Sequence, residues 1–222
     1  MDLDEFTDAN APDEGGDAFQ LENSKLLDVE LDGSAMAKAG SMVAYDGDIS
    51  FTGKSSAEGG VTGFLKEKVT SEGMPVMEAE GTGHLYLADQ GKEIQVLSLD
   101  AGEEISVNGN DILAFEDRVN YEIRTVGSIS GSSAAGLTNV FLEGPGDVAI
   151  TTHGDPLVLT PPVRTDPSAT VAWSGELSPS SHVDQSISNM VGQSADETYQ
   201  LEFAGRDGFV IVQPYEEVQP GQ

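Results

Sequence analysis

Cysteine is absent from this chain of 222 residues. Its absence excludes disulfides and thiolate metal sites. Basic residues are scarce, ten Lys and Arg against 39 Asp and Glu. Affinity for phosphates comes mainly from Lys and Arg, so nucleic acid is excluded as a partner. The chain does not open with a basic segment followed by an apolar one, so no secretory signal is expected. No apolar run approaches the ~20 residues that a membrane helix needs, so no membrane insertion is expected. A cytoplasmic location follows by default. Leu-rich helical periodicity is also scarce, whereas glycine is plentiful at 26 residues. That balance favours many strands and turns, an all-β chain long enough to bury a sizeable core.

The formal charge is -29. Self-repulsion of this size opposes compaction at low salt, and high salt screens it. One reading is a solvated surface adapted to a salty cytoplasm. The other is an acidic face for a basic protein partner. Residues 1–24 hold eight of the acidic groups and no basic one. Such a segment buries too little apolar surface to offset chain entropy, and it is expected to be a disordered acidic tail. Its few apolar residues, Leu3, Phe6, Phe19 and Leu21, leave open an arm that packs on a neighbour.

Beyond the tail, one device recurs. Met77-Glu-Ala-Glu-Gly-Thr-Gly-His-Leu-Tyr-Leu-Ala88 reads as a strand, a glycine corner and a second strand. Asn139-Val-Phe-Leu-Glu-Gly-Pro-Gly-Asp-Val-Ala-Ile-Thr151 repeats it, and Tyr199 to Val212 repeats it with a longer corner. The corners begin at Gly81, Gly144 and Gly205, spaced 63 and 61 residues apart. So regular a spacing marks an internal repeat. Each unit opens on an alternating strand: Leu26 to Leu31, Ile94 to Leu99, and Leu157 to Thr160. Turns are expected next, at Asp32-Gly33, Ala101-Gly102 and Thr165-Asp166-Pro167. A short strand then carries alanine before an aromatic residue: Ala44-Tyr45, Ala114-Phe115 and Ala172-Trp173. The three rings are expected to fill equivalent core seats, the alternative being a row that stacks a ligand. The domain of residues 25–218 thus divides into three tandem β units, about 26–90, 91–154 and 155–218.

Chemistry is harder to find. Gly53-Lys54-Ser55 resembles the end of a phosphate loop, but Asp48 stands where that motif needs glycine, and no helix follows. His84, His153 and His182 lack ligand spacing. The pairs His153-x-Asp155 and His182-x-Asp184 offer two ligands each, where three or four are usual. No Gly-x-Ser-x-Gly elbow is present. No catalytic, cofactor-binding or metal residue is assigned, and no cofactor is expected. The variable loops, including a candidate helical piece over Val61 to Val69 with Lys66 and Lys68, suit a binding surface if they share one side.

Ala39 to Gly47, Gly81 to Ala88, Phe141 to Val148 and Phe203 to Gln213, in that order and spacing, resemble the altered inheritance of mitochondria protein 24 family, also called the mitochondrial biogenesis family. The resemblance covers roughly residues 22–217. It implies a fold like that of the tryptophan RNA-binding attenuation protein, a shortened double-stranded β-helix. It also implies three structural repeats in a ring-like arrangement and a homo-oligomer, with a trimer favoured. The family has no established catalytic motif to carry over. The expected function is therefore a non-enzymatic oligomeric scaffold or interaction protein adapted to high salt. The alternative is a small-ligand-binding protein with a pocket between repeats or subunits.

Overall fold

The computed structural model describes residues 1–13, 15–54, 76–126, 137–183 and 199–216. The chain is all-β, with one short α-helix, α1 (Leu3–Ala9), and one 3-10 turn, Gly109–Asp111, among the described residues. Three runs of strands follow the N-terminal stretch. The first holds β2 (Leu26–Lys38), β3 (Met42–Tyr45), β4 (Asp48–Lys54) and β5 (Val76–Leu87). The second holds β6 (Glu93–Leu99), β7 (Glu104–Asn108), β8 (Ile112–Glu116), β9 (Asn120–Val126), β10 (Leu137–Glu143) and β11 (Gly146–Thr152). The third holds β12 (Leu157–Leu159), β13 (Val163–Thr165), β14 (Thr170–Ser174), β15 (Ser180–Val183), β16 (Tyr199–Phe203) and β17 (Val210–Val212).

The pairing is antiparallel, and two ladders occur in each run. In the second run β11 lies between β6 and β8, while β10 lies between β7 and β9. In the third, β17 lies between β12 and β14, and β16 between β13 and β15. In the first, β2 and β5 are each long enough to serve both ladders. The last residues of β5 pair with β3, the first with β4, and the whole of it with β2. A β-bulge falls at the same place each time, between Met42 and Ala44, Ile112 and Ala114, and Thr170 and Ala172. A bulge bends its strand and sharpens the local twist.

This corrects four local expectations. Asp32-Gly33 is no turn: β2 runs through it, with Gly33 opposite Gly81. Gly81-Thr82-Gly83 is no hairpin corner either, because β5 is continuous across it. Gly81 and Gly83 have φ of 150° and 142°, and a Cβ on Gly83 would meet the Asp46 carbonyl oxygen, so glycine bends the strand here without ending it. At Gly144-Pro145-Gly146 the chain does turn, but β10 and β11 enter different sheets and do not pair. β16 and β17 likewise belong to different sheets. The glycines mark where the chain bends, and the strands on either side find partners far away in sequence.

The acidic stretch also departs from expectation at its end. β1 (Phe19–Asn23) pairs antiparallel with β2, and Phe19 is buried. Gln20 and Glu22 alternate with Phe19 and Leu21, so one face of the strand is apolar. Ahead of it, α1 is closed by a capping box between Asp2 and Glu5 and buries no residue.

Three apolar clusters hold the sheets together. One joins Leu27, Val29, Leu85 and Leu87 of the first run to Leu113, Ala114 and Ala149 of the second. The next joins Phe115, Val148, Ile150, Val107 and Leu142 to Val171, Ala172 and Ile211 of the third. The last gathers Trp173, Phe203, Leu201, Leu177 and Val210.

Candidate functional site

The candidate residues do not converge. His153 follows β11, where its backbone N–H donates to Gln213 Oε1 at 2.8 Å and its ring lies 4.2 Å from that of Tyr215. His182 stands on β15 opposite Gln200. Gly53 and Lys54 lie in β4, paired with Met77 and Val76, and so belong to a strand and not to a phosphate-cradling loop. The loops that held the candidate helix over residues 61–69, Lys66 and Lys68 lie outside the described residues. Among the described residues no group of three or more His, Asp and Glu side chains is placed to hold a metal ion.

Nothing in the residue pattern foreshadows the charges that the fold buries. Lys38 Nζ donates to Asp89 Oδ2 and to the Asn110 carbonyl, each at 2.7 Å. Lys92 Nζ donates to Asp111 Oδ1 at 2.8 Å, with both side chains buried. Lys38 ties the end of β2 to the chain ahead of β8, and the Lys92–Asp111 pair joins the entry of β6 to that of β8. On the surface, Arg124 lies over the Phe141 ring at 4.3 Å and reaches Glu122 and Glu104. Tyr121 and Glu143 complete the rim of a shallow open depression there.

The first run carries a further pair. His84 on β5 places Nδ1 3.0 Å from Asp28 Oδ2 on β2. The hydrogen bond to Asp28 raises the pKa of His84, reinforced by the charges of Asp28, Asp46 and Glu30. Burial raises Asp28 more than the imidazole lowers it. Tyr86 stacks beside His84 and stands opposite Asp28 in the register. Period-two alternation along β5 puts His84 and Tyr86 on one face and buried Leu85 and Leu87 on the other. That much is legible in the sequence; the partner of His84, 56 residues away, is not.

The most distinctive feature is a pair of open strands. β8 pairs with β2 through Met36↔Phe115 and Ala37↔Ala114. β14 pairs with β7 through Ala172↔Val107 and Trp173↔Ser106. β3 occupies the corresponding place in the first run, yet its one strand partner among the described residues is β5. At the other end, among the described residues, β13 has only β16 beside it. Exposure follows. Leu113, Phe115, Val171 and Trp173 are at most 1% exposed, whereas Val43 is 59% and Tyr45 49% exposed. The expectation of three equivalent buried seats therefore holds for Phe115 and Trp173 and is corrected for Tyr45. Its ring packs edge-on against Phe51, itself partly exposed. Covering a short strand such as Met42-Val-Ala-Tyr45 takes a second neighbouring strand besides β5, and this chain supplies none among its described residues.

Comparison with known proteins places the fold. A crystal structure of a protein from Streptococcus pyogenes, determined by a structural genomics consortium, superposes with a TM-score of 0.67 at 23% sequence identity. The match covers 89% of this chain and 92% of that one. No curated protein matches the sequence. No helix among the described residues is long and apolar enough to cross a membrane. The profile of the family described as Mitochondrial biogenesis AIM24 matches residues 19–215, from the first residue of β1 to beyond β17, and the chain belongs to that family.

Proposed function

We propose that this protein is a non-enzymatic scaffold that assembles into a closed ring, built from three tandem copies of one β unit with a fold like that of the tryptophan RNA-binding attenuation protein. The observation that carries the reading is the pair of open strands. The order β9-β10-β7-β14-β17-β12 makes one complete sheet of six strands. Its first three strands come from the second unit and its last three from the third. The sheet β13-β16-β15 is the first half of another such set. The ladder of β3, β5 and β2 offers the second half, with the apolar Met42 and Val43 exposed. Joining β13 of one copy to β3 of the next completes the same order of strands. Such a head-to-tail contact closes into a ring when its rotation permits, and the family resemblance favours three chains.

The charge fits an assembly that works at high salt, where repulsion between chains of -29 is screened. A cytoplasmic location without membrane insertion accompanies this reading. The test is mass by sedimentation or light scattering in about 2 M KCl, where the Debye length is below ~3 Å. The parent is expected to be a trimer. Val43→Glu places a carboxylate on β3 where the single chain leaves the side chain exposed, so the fold survives and assembly is lost. A parent that is monomeric at every protein concentration overturns the reading, and so does a Val43→Glu variant that assembles like the parent.

A further inference from the structure

The registers of the ladders lay out three corresponding rows. Ala114, Ala149 and Val96 face one another across β8, β11 and β6. Ala172, Ile211 and Val158 do so across β14, β17 and β12. In the first unit the row is Ala44, Tyr86 and Asp28. The second row packs into the cluster shared with the first unit, through Ala114 and Ala149 with Val96 against them. The third packs into the cluster shared with the second unit, through Ala172 and Ile211. Within the chain, then, the first two members of this row form an apolar joint between consecutive units, while Val158, in the place of Asp28, is 61% exposed. Among the described residues no unit precedes the first row. It is also the one row that carries a phenol and a carboxylate, with His84 attached to the carboxylate.

We propose that the Ala44–Tyr86–Asp28 row, with His84, is a polar seam between copies in the ring, tightened when His84 is protonated and loosened when it is neutral. The proposal rests on the ring assembly described above. The place of Tyr86 corresponds to Ala149 and Ile211, both buried at the joints within the chain. A neighbouring copy seated on the first row therefore withdraws Tyr86 from water and reduces the water around His84, whose ring stacks on Tyr86 and bonds Asp28. Asp28 is already 5% exposed, and further desolvation penalises a carboxylate without a counter-charge. Imidazolium supplies that charge, and neutral imidazole does not. The charged and titratable groups around the pair are Glu22 on β1, Glu30 on β2, Asp46 after β3 and Tyr86 on β5. All the ionised ones are acidic, so each favours the cationic ring. The approaching β13 and β16 bring Arg164 and Glu202, which are already bonded to each other at 2.8 Å.

The sign follows from proton linkage. A histidine bound more tightly to its proton in the assembly stabilises it fully below the value of the free chain, which Asp28 already raises above the ordinary 6.5, and the gain is lost as pH rises through the still higher value of the assembly. Between those limits the dissociation constant rises by up to about tenfold per pH unit for each junction. Sedimentation of the full chain in about 2 M KCl, from about pH 6 to about pH 9, reads this directly. The parent is expected to dissociate more readily as pH rises. His84→Gln, and Asp28→Val with the residue that the other two rows carry, are expected to assemble with a flat profile. The His84 side chain is 42% exposed, so His84→Gln decides the matter if Asp28→Val does not fold. A flat profile in a parent that still forms rings overturns the seam and leaves the ring intact, as does an unchanged slope in His84→Gln. A parent that never assembles overturns both.

Discussion

A buried ring is worth most where atoms surround it on every side, and Trp173 and Tyr45 stand at opposite extremes. Trp173 is fully buried and meets the Phe203 ring edge-on at 5.3 Å. Tyr45 occupies the matching place, opposite Leu85 as Trp173 is opposite Val210, with half its surface in water. Trp173→Ala is therefore expected to cost about 3–5 kcal/mol. Tyr45→Ala in the unassembled chain should cost about 1 kcal/mol or less, chiefly the contact with Phe51. Denaturant unfolding at a protein concentration too low for assembly checks both. Equal losses would show that the Tyr45 seat is filled within the single chain. The aromatic pattern in the sequence locates all three seats, because alternation and the preceding alanine are local. It carries no information on the cover, which comes from another strand.

At the scale of elements, the entries of β6 and β8 are joined by buried charge as well as by apolar contact. Lys92 and Asp111 are 7% and 1% exposed in their side chains. Removing one partner strands the other in a medium that solvates it poorly. Lys92→Met is expected to cost about 3–5 kcal/mol, and the double change with Asp111→Leu to recover much of that loss. A double-mutant cycle in thermal unfolding measures the recovery, and additive losses would refute the pairing. Neither residue stood out in the sequence, where 39 acids leave no basis for choosing one. The corners at Gly81 and Gly144 stood out clearly, yet one lies within a continuous strand and the other joins two sheets. Glycine relaxes the backbone locally, whereas the choice of pairing partner is made by apolar faces far along the chain.

For the whole molecule, charge sets the conditions under which packing prevails. The Debye length is ~30 Å at 0.01 M salt and ~3 Å at 1 M. At the lower value repulsion spans a subunit, and at the higher it barely reaches the next side chain. Contacts between units are also strengthened by salting-out ions. The expected outcome of a KCl titration is a compact oligomer near ~2 M, with dissociation or unfolding as salt is withdrawn towards ~0.05 M. Light scattering and circular dichroism follow the two events separately. A folded species of constant mass across that range would refute salt-dependent assembly and salt adaptation together.

Composition and alternation by themselves determined the all-β class, the absence of thiol chemistry and the recurrence of one strand pattern. These are properties of short stretches or of sums over the chain, and neither needs a partner to be known. Tertiary structure alone decided that β2 and β5 run unbroken through their glycines and that β1 leaves the acidic stretch to join a sheet. It also decided that Asp28 meets His84 and that Val43 and Tyr45 stay exposed while their counterparts are buried. Each of those outcomes depends on which distant strand arrives alongside. That choice is made by the packing of apolar faces across the whole fold, and local sequence does not encode it.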